Sequence, residues 1–334
     1  MLKIFCKNSK TYKDFQEGTT LMEMLEEFSF DRPYPIVSAK VNNVSQGLKF
    51  RVFNNRDVEF LDVRDSSGMR VYTRSLSFLL CKAAAEVFPD SRIFIEHPLS
   101  NGYFCNLQKA DGLPVTEEDI DAIKKRMQDI VAQDLPFRRY EVREEEAIRI
   151  FRDLGKTDKV KLLESSHNVY LDYYTLGDTP DYYYGRLVPS SGFLKLWDIS
   201  KCHDGILLRC PDRHNPDVLA PLVEQPKTFA MFSENLKWNL IMGLNNVGEL
   251  NLACQQGNAS ELIQIAEALQ SKKTVQIAEE IYRRHYLPDP VKLVLITGPT
   301  SSGKSTFCKR LSIQLMACGL HPVSFSTDDY FVNR

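Results

Sequence analysis

The period of the hydrophobic positions changes along the chain, and each change predicts an element. Leu2, Ile4 and Cys6 alternate with polar neighbours, the two-residue period of a strand with one buried face. Thr20-Leu-Met-Glu23 places a threonine three residues ahead of a glutamate at the head of an apolar stretch, so a short helix is predicted to open there. Ile36–Val41 and Val58–Leu61 supply further strands. Later, Leu262, Ile265, Ala266 and Leu269, then Ile277 and Ile281, recur at helical spacing and predict helices over 260–269 and 274–284. Asn-Asn and Gln-Gln-Gly breaks precede them, and Leu287-Pro-Asp-Pro290 marks a boundary. Val291–Ile296 is a continuous apolar run of strand length, as a buried parallel strand requires. Phe307, Leu311 and Leu315 return to helical spacing with Gly319 as a stop, and His321–Ser326 reads as a second strand.

Between the first of those late strands and its helix lie Gly298, Pro299, Thr300, Ser301, Ser302, Gly303, Lys304, Ser305 and Thr306, whose first eight satisfy G-x-x-x-x-G-K-[ST]. Strand, glycine loop and helix together aim backbone N–H groups and a helix N-terminus at a phosphate chain. Lys304 is then expected to reach the β- and γ-phosphates of ATP, and the Ser305 hydroxyl to ligate Mg²⁺. Asp328 and Asp329 follow the second strand. A carboxylate at the C-terminal end of a parallel strand lies where open α/β sheets bind ligands, and it could accept the proton of an attacking hydroxyl. Standing alone, the acidic pair reads equally well as a solvated turn.

Composition narrows the classes. At 334 residues the chain is long enough for two or three domains, and 43% hydrophobic with 26% charged residues is ordinary for a soluble globular protein. A net charge of −2 makes neither nucleic acid nor a membrane surface an obvious partner. No apolar run approaches the roughly 20 residues that span a bilayer, and the N-terminus is no signal peptide. Eight cysteines without a Cys-x-x-Cys pair suggest reduced thiols in a cytoplasm.

The stretch GPTSSGKST followed by STDDYF resembles the uridine kinase and phosphoribulokinase family. The resemblance covers residues 291–334 and implies that Lys304 and Asp328 are catalytic, Asp328 as base toward a nucleoside 5′-hydroxyl with Asp329 as fallback. The family's second aromatic is usually tyrosine; here the order is Tyr330-Phe331, which puts the choice of pyrimidine in doubt. A full kinase fold needs more parallel strands and a lid, so the chain is expected to be a fragment cut inside its kinase domain and inactive alone.

Residues 1–62, with EGTTLMEML and SAKVNN, resemble the TGS domain, a β-grasp module. Residues 74–192 resemble the second, editing domain of threonyl-tRNA synthetase through SLSFLLCKAAAEVFPDSRI, the stretch from Val115 to Gly155, and YYYGRLVPSSG. The family holds metal with an H-x-x-x-H pair and a Cys-x-x-x-His pair, and those positions fall here on Arg74, Phe78, Tyr183 and Leu187. None suits zinc, so the fold is expected without the site. Cys202, His203, Cys210 and His214 offer sulfur and nitrogen donors, but their spacing fits no common zinc framework, and Ile206–Leu208 between them reads as a strand that would point ligands to opposite faces. His97, His167, His285 and His321 have no partners in sequence, and the tyrosines at 173, 174, 182, 183 and 184 suit strand packing better than base stacking.

The expected architecture is an α+β N-terminal half, with a β-grasp module over 1–62 and an editing-like domain over 63–225. A helical connector over 226–290 and the start of an α/β P-loop kinase domain over 291–334 follow. The expected activity is ATP- and Mg²⁺-dependent phosphorylation of a nucleoside, uridine or cytidine, with a regulatory N-terminal half. The alternative is a nucleotide- or RNA-binding module whose P-loop is a switch or ATPase without a small-molecule acceptor.

Overall fold

The structure is a computed structural model that describes residues 1–166 and 168–330, in two compact units, Met1–Glu234 and Asn235–Arg334. His167 and Phe331 lie outside the described residues.

The first unit opens with strands β1 (Leu2–Cys6) and β2 (Thr11–Phe15), helix α1 (Leu21–Glu27), and strands β3 (Ser38–Val41), β4 (Val44–Gln46) and β5 (Arg56–Leu61). They form a mixed sheet in the order β2-β1-β5-β3-β4, with β1 and β5 parallel. Helix α1 begins at the capping box read from the sequence: the Glu23 N–H donates to the Thr20 hydroxyl at 3.2 Å, and the Thr20 N–H donates back to the Glu23 carboxylate at 2.7 Å. Leu21, Met24 and Leu25 of α1 pack on Leu2, Ile4, Val58 and Phe60 from one face of the sheet. The opposite face carries Lys3, Phe5, Lys7 and Tyr12, none of them buried.

The remainder of the unit contains α2 (Ser66–Val87), β6 (Arg92–Leu99), β7 (Gly102–Gln108), α3 (Glu117–Ala132), β8 (Phe137–Arg143), α4 (Glu144–Asp153), α5 (Thr157–Glu164), β9 (Tyr170–Leu176), β10 (Thr179–Asp181), β11 (Asp198–Cys202), β12 (Gly205–Arg209) and α6 (Pro226–Ile241), which runs past Glu234. Two antiparallel sheets result, β11-β12-β7-β6 and β10-β9-β8. The main core lies between α2, α3 and the four-stranded sheet, built from Leu76, Phe78, Leu79, Ile123, Met127 and Ile206 among others. Asp65 caps α2 by accepting from the Ser67 N–H at 2.7 Å. Gly68 is required beside that cap, because a Cβ there would stand 1.9 Å from the Asp62 carbonyl oxygen. The other face of the four-stranded sheet buries Leu99, Phe104 and Leu207 with Phe229 of α6 against them.

In the second unit, α7 (Val247–Gln255), α8 (Ala259–His285) and α9 (Lys304–Ala317) follow the end of α6 in sequence. The predicted helices over 260–269 and 274–284 are one continuous helix, because Ser271-Lys-Lys between them is compatible with a helix. Ala278 of α8 packs on Leu311 and Leu315 of α9, the two residues that the spacing assigned to the buried face. The predicted strands over 291–296 and 321–326 are not formed. A parallel strand is stable only with neighbours to pair with, and among the described residues this unit has none. Leu293, Leu295, Val323 and Phe325 are consequently 75–81% exposed. The α+β organisation of the first unit therefore stands, and the described residues of the second carry no P-loop kinase sheet. No helix among the described residues is long and apolar enough to cross a membrane.

Candidate functional site

Arg74 and Phe78 lie four residues apart on α2 and so share one face of it. The segment after β10 brings Tyr183 and Leu187 to that face. The Phe78 and Tyr183 rings stack with centroids 4.9 Å apart at 27°, and Phe137 from β8 closes on Phe78 at 5.7 Å. Leu187 is buried in the same core. The Arg74 guanidinium donates from Nη1 to the Arg186 carbonyl oxygen at 2.8 Å. It lies against Gly185, whose φ of 116° is strained for any residue with a side chain, and a Cβ there would push the guanidinium aside from 2.8 Å. The four positions that the sequence resemblance assigned to metal thus do converge, but as an apolar stack closed by a tethered cation. The Tyr183 hydroxyl lies beside the Cys81 thiol one turn along α2. Burial pushes the Cys81 thiol up to about 11 and the Tyr183 phenol well above its ordinary range, so both stay protonated near neutrality. Neither supplies an anionic ligand or a nucleophile there.

The backbone around this filled cleft is pinned by side chains. Ser75 accepts from the Val188 N–H at 2.9 Å, and the Ser191 hydroxyl donates to the Ile130 carbonyl at 2.7 Å while accepting from the Leu135 N–H at 2.8 Å. Lys49, from the N-terminal module, donates to the carbonyls of Pro189 at 2.7 Å and Phe137 at 3.1 Å. At the margin stand further cations: Arg139 of β8 pairs with Asp172 at 2.6 Å, and Arg186 reaches the same carboxylate at 3.7 Å. Tyr184 beside them is 89% exposed. Arg139, Arg186 and Lys49 were missed from sequence, because their cooperation depends on strand register and on contacts between modules. Of the other tyrosines, Tyr173 and Tyr174 lie on β9, and Tyr182 packs on the core beneath α4 and α5.

The second donor group is dispersed. Cys202 packs on the outer face of the four-stranded sheet, Cys210 is in the main core, and the His203 ring stacks on Phe229 at 3.6 Å. His214 sits in a turn where its N–H donates to Asp212 at 2.8 Å. His97, without a partner in sequence, is 5% exposed and stacks on Phe232 of α6 at 4.2 Å. His285 faces the Val291 carbonyl at 3.1 Å.

In the second unit the glycine loop has a defined turn. Ser301 (φ 60°) and Gly303 (φ 81°) are both left-handed, and the Ser302 N–H donates to the Pro299 carbonyl at 3.3 Å. A Cβ on Gly298 would come within 2.8 Å of Ser302 Oγ, so that hydroxyl would have to turn aside. The Lys304 ammonium folds back over the loop onto the carbonyls of Gly298 at 3.0 Å and Pro299 at 2.8 Å. Thr300 in the loop, and Ser305 and Thr306 at the start of α9, are exposed. Asp328 and Asp329 occupy a short 3-10 turn, exposed, with the Asp328 N–H donating to the Ser326 hydroxyl at 3.3 Å.

No family model matches the chain. Curated relatives are threonine–tRNA ligases. That of Desulforamulus reducens is 28% identical over 196 residues, 58% of this chain and 30% of the ligase. Those of Marinobacter nauticus (28% over 192 residues, 57% and 30%) and Laribacter hongkongensis (29% over 166 residues, 49% and 26%) are similar. The chain spans about 30% of the length of these relatives. They correct the expectation drawn from residues 291–334: the relatives are aminoacyl-tRNA ligases and not nucleoside kinases, so ATP-dependent phosphorylation of uridine or cytidine is withdrawn. A kinase would also need a parallel sheet behind the glycine loop, and the two segments that were to supply it are exposed and unpaired.

Proposed function

We propose that the first unit is an RNA-recognition module of the threonyl-tRNA synthetase type, built from a TGS-like β-grasp and an editing-like domain, that binds a tRNA or tRNA-like end without hydrolysing it. The observation that carries this is the filled cleft. Arg74, Phe78, Tyr183 and Leu187 replace a ligand set by stacking and a fixed cation, while the rim keeps Arg139, Arg186 and an exposed Tyr184. Arginines position phosphates and an exposed aromatic stacks a base, so the rim retains recognition chemistry after the hydrolytic chemistry is gone. With all eight cysteines free, the module suits a reducing cytoplasm. The test is fluorescence anisotropy of labelled tRNA with the whole chain. Arg139→Glu with Arg186→Glu should weaken binding tenfold or more and flatten its salt dependence, and mischarged tRNA should stay charged. Absence of tRNA binding at low salt, or deacylation above background, refutes the proposal.

A second reading concerns the second unit, where residues 298–306 would hold the phosphates of ATP as a switch with no acceptor molecule. It is supported by the paired left-handed residues Ser301 and Gly303 at the head of α9 and by Lys304 lying across the loop. Bound ATP would be gripped by the loop N–H groups and Lys304, with Ser305 on the Mg²⁺ ion that shields its phosphates.

A further inference from the structure

The N-terminal sheet packs α1 on one face and leaves the other open, and that open face is not featureless. Because β1 side chains alternate, Lys3, Phe5 and Lys7 all stand on it, and the register Phe5↔Tyr12 sets Tyr12 of β2 beside Phe5. The two rings lie 4.8 Å apart, and Tyr12 is 61% exposed. The parallel register Phe5↔Asp57 brings β5 alongside, with Arg56 and Asn55 at the Lys3 end and the β3–β4 turn at the Lys7 end. That turn is built on two left-handed asparagines, Asn42 (φ 47°) and Asn43 (φ 65°). Together these elements line a concavity of about 460 Å³.

Its chemistry is that of a stacking platform with charged ends. Lys3 and Arg56 line one end and Lys7 the other; Asp57 lines it too, and the register Lys3↔Asp14 sets a second carboxylate beside Lys3 on the same face. Glu59 flanks Lys7 at 3.8 Å, and Asn43 accepts from the Lys7 ammonium at 2.8 Å, so Lys7 is held at the rim rather than free to sweep. Lys3 and Lys7 are four residues apart on a strand, about 13 Å, a span that suits phosphates separated along an extended strand better than one isolated phosphate. Between the cations lie the Tyr12 ring, with Phe5 against it and the Lys3 ammonium 4.9 Å from its centroid, and the polar edges of Asp57, Asn43 and Asn55, which can pair with base amino and carbonyl groups. Cations at the ends with aromatic rings and base-reading polar groups between them are what single-stranded nucleic acid requires: unstacked bases laid on rings, with phosphates held at the margins. A duplex presents its bases stacked and inaccessible to such a face.

We propose that this open sheet face binds a short single-stranded RNA segment, a base stacking on Tyr12 and Phe5 and its phosphates meeting Lys3, Arg56 and Lys7. The choice of RNA rests on the recognition function proposed above; the site itself is separate from the arginine rim.

The experiment uses the whole chain with a fluorescein-labelled ten-nucleotide single-stranded RNA, a matching duplex, and unlabelled mononucleotides as competitors. Tyr12→Ala should weaken single-strand binding about tenfold, and Lys3→Ala with Arg56→Ala should weaken it and reduce the slope of affinity against salt. Tyr12→Phe should restore affinity, since stacking needs the ring and not the hydroxyl. Lys3 and Tyr12 are exposed, so circular dichroism should be unchanged in both variants. Arg139→Glu with Arg186→Glu separates this proposal from the previous one. Single-strand binding that falls with the arginine pair and not with Tyr12→Ala overturns the sheet-face site while the rim stands. Loss with Tyr12→Ala alone supports the sheet face. Failure of the single strand to bind at all, stronger binding of the duplex, or equal competition by a mononucleotide overturns it.

Discussion

Replacing Phe78 with alanine tests whether the cleft beside α2 is closed by packing. Phe78 is fully buried, at 0% exposure, and its ring is held between Tyr183 at 4.9 Å and Phe137 at 5.7 Å. Truncating a buried phenylalanine costs about 3–5 kcal/mol, through lost transfer energy and the cavity left behind. Two aromatic neighbours, each worth roughly 0.5–1.5 kcal/mol beyond burial, place this site at the upper end of that range. Phe78→Leu keeps most of the volume and should cost less than half as much. Urea unfolding followed by far-UV circular dichroism gives both numbers, and the wild-type curve shows whether the two units melt separately. The variant should shift only the transition of the Met1–Glu234 unit and leave its slope unchanged. A loss below about 1 kcal/mol would mean that the ring borders an open, hydrated cleft, and the closed-site interpretation would fail.

Further outcomes are expected. His97 is held below its ordinary value near 6.5 by burial, so the unfolded chain takes up the proton first. Stability is therefore complete above about pH 6.5 and falls as pH drops from there toward the lowered folded value; His97→Phe should remove that slope in urea melts across pH 5–8. Lys304→Ala should weaken ATP binding, measured by calorimetry with Mg²⁺, tenfold or more; equal affinity would leave the loop without a phosphate role. Lys49→Met should destabilise the first unit by about 1 kcal/mol through the loss of two hydrogen bonds, read from the same urea assay. Elemental analysis of protein purified without chelator should find zinc far below one atom per chain, and one per chain would contradict the filled site.

What could be read from the sequence followed from locality. The Leu2–Cys6 strand, the Thr20 capping box, the Ile206–Leu208 strand and the Leu311–Leu315 face each depend on residues within one turn or one strand, and each formed. Residue type alone was also enough to argue that Arg74, Phe78, Tyr183 and Leu187 do not suit zinc. How those residues fill the space was not, because the Phe78–Tyr183 stack joins positions over 100 residues apart. The same limit hid His97, whose partner Phe232 comes from a helix beyond the sheet. Val291–Ile296 and His321–Ser326 failed for the converse reason. An apolar run specifies what a strand would bury, but not that neighbours exist to pair with it.

Lys49 has a consequence for the order in which the protein is made. Its acceptors lie 88 and 140 residues downstream of it. The last strand of the N-terminal sheet ends at Leu61, so that sheet can close before either acceptor has been synthesised. At roughly 5–20 residues per second on the ribosome, the lysine waits on the order of 5–30 seconds for its carbonyls. The small module can thus serve as a template when Phe137 and Pro189 emerge, and an N-terminal deletion removes the lysine that holds both of those cleft carbonyls.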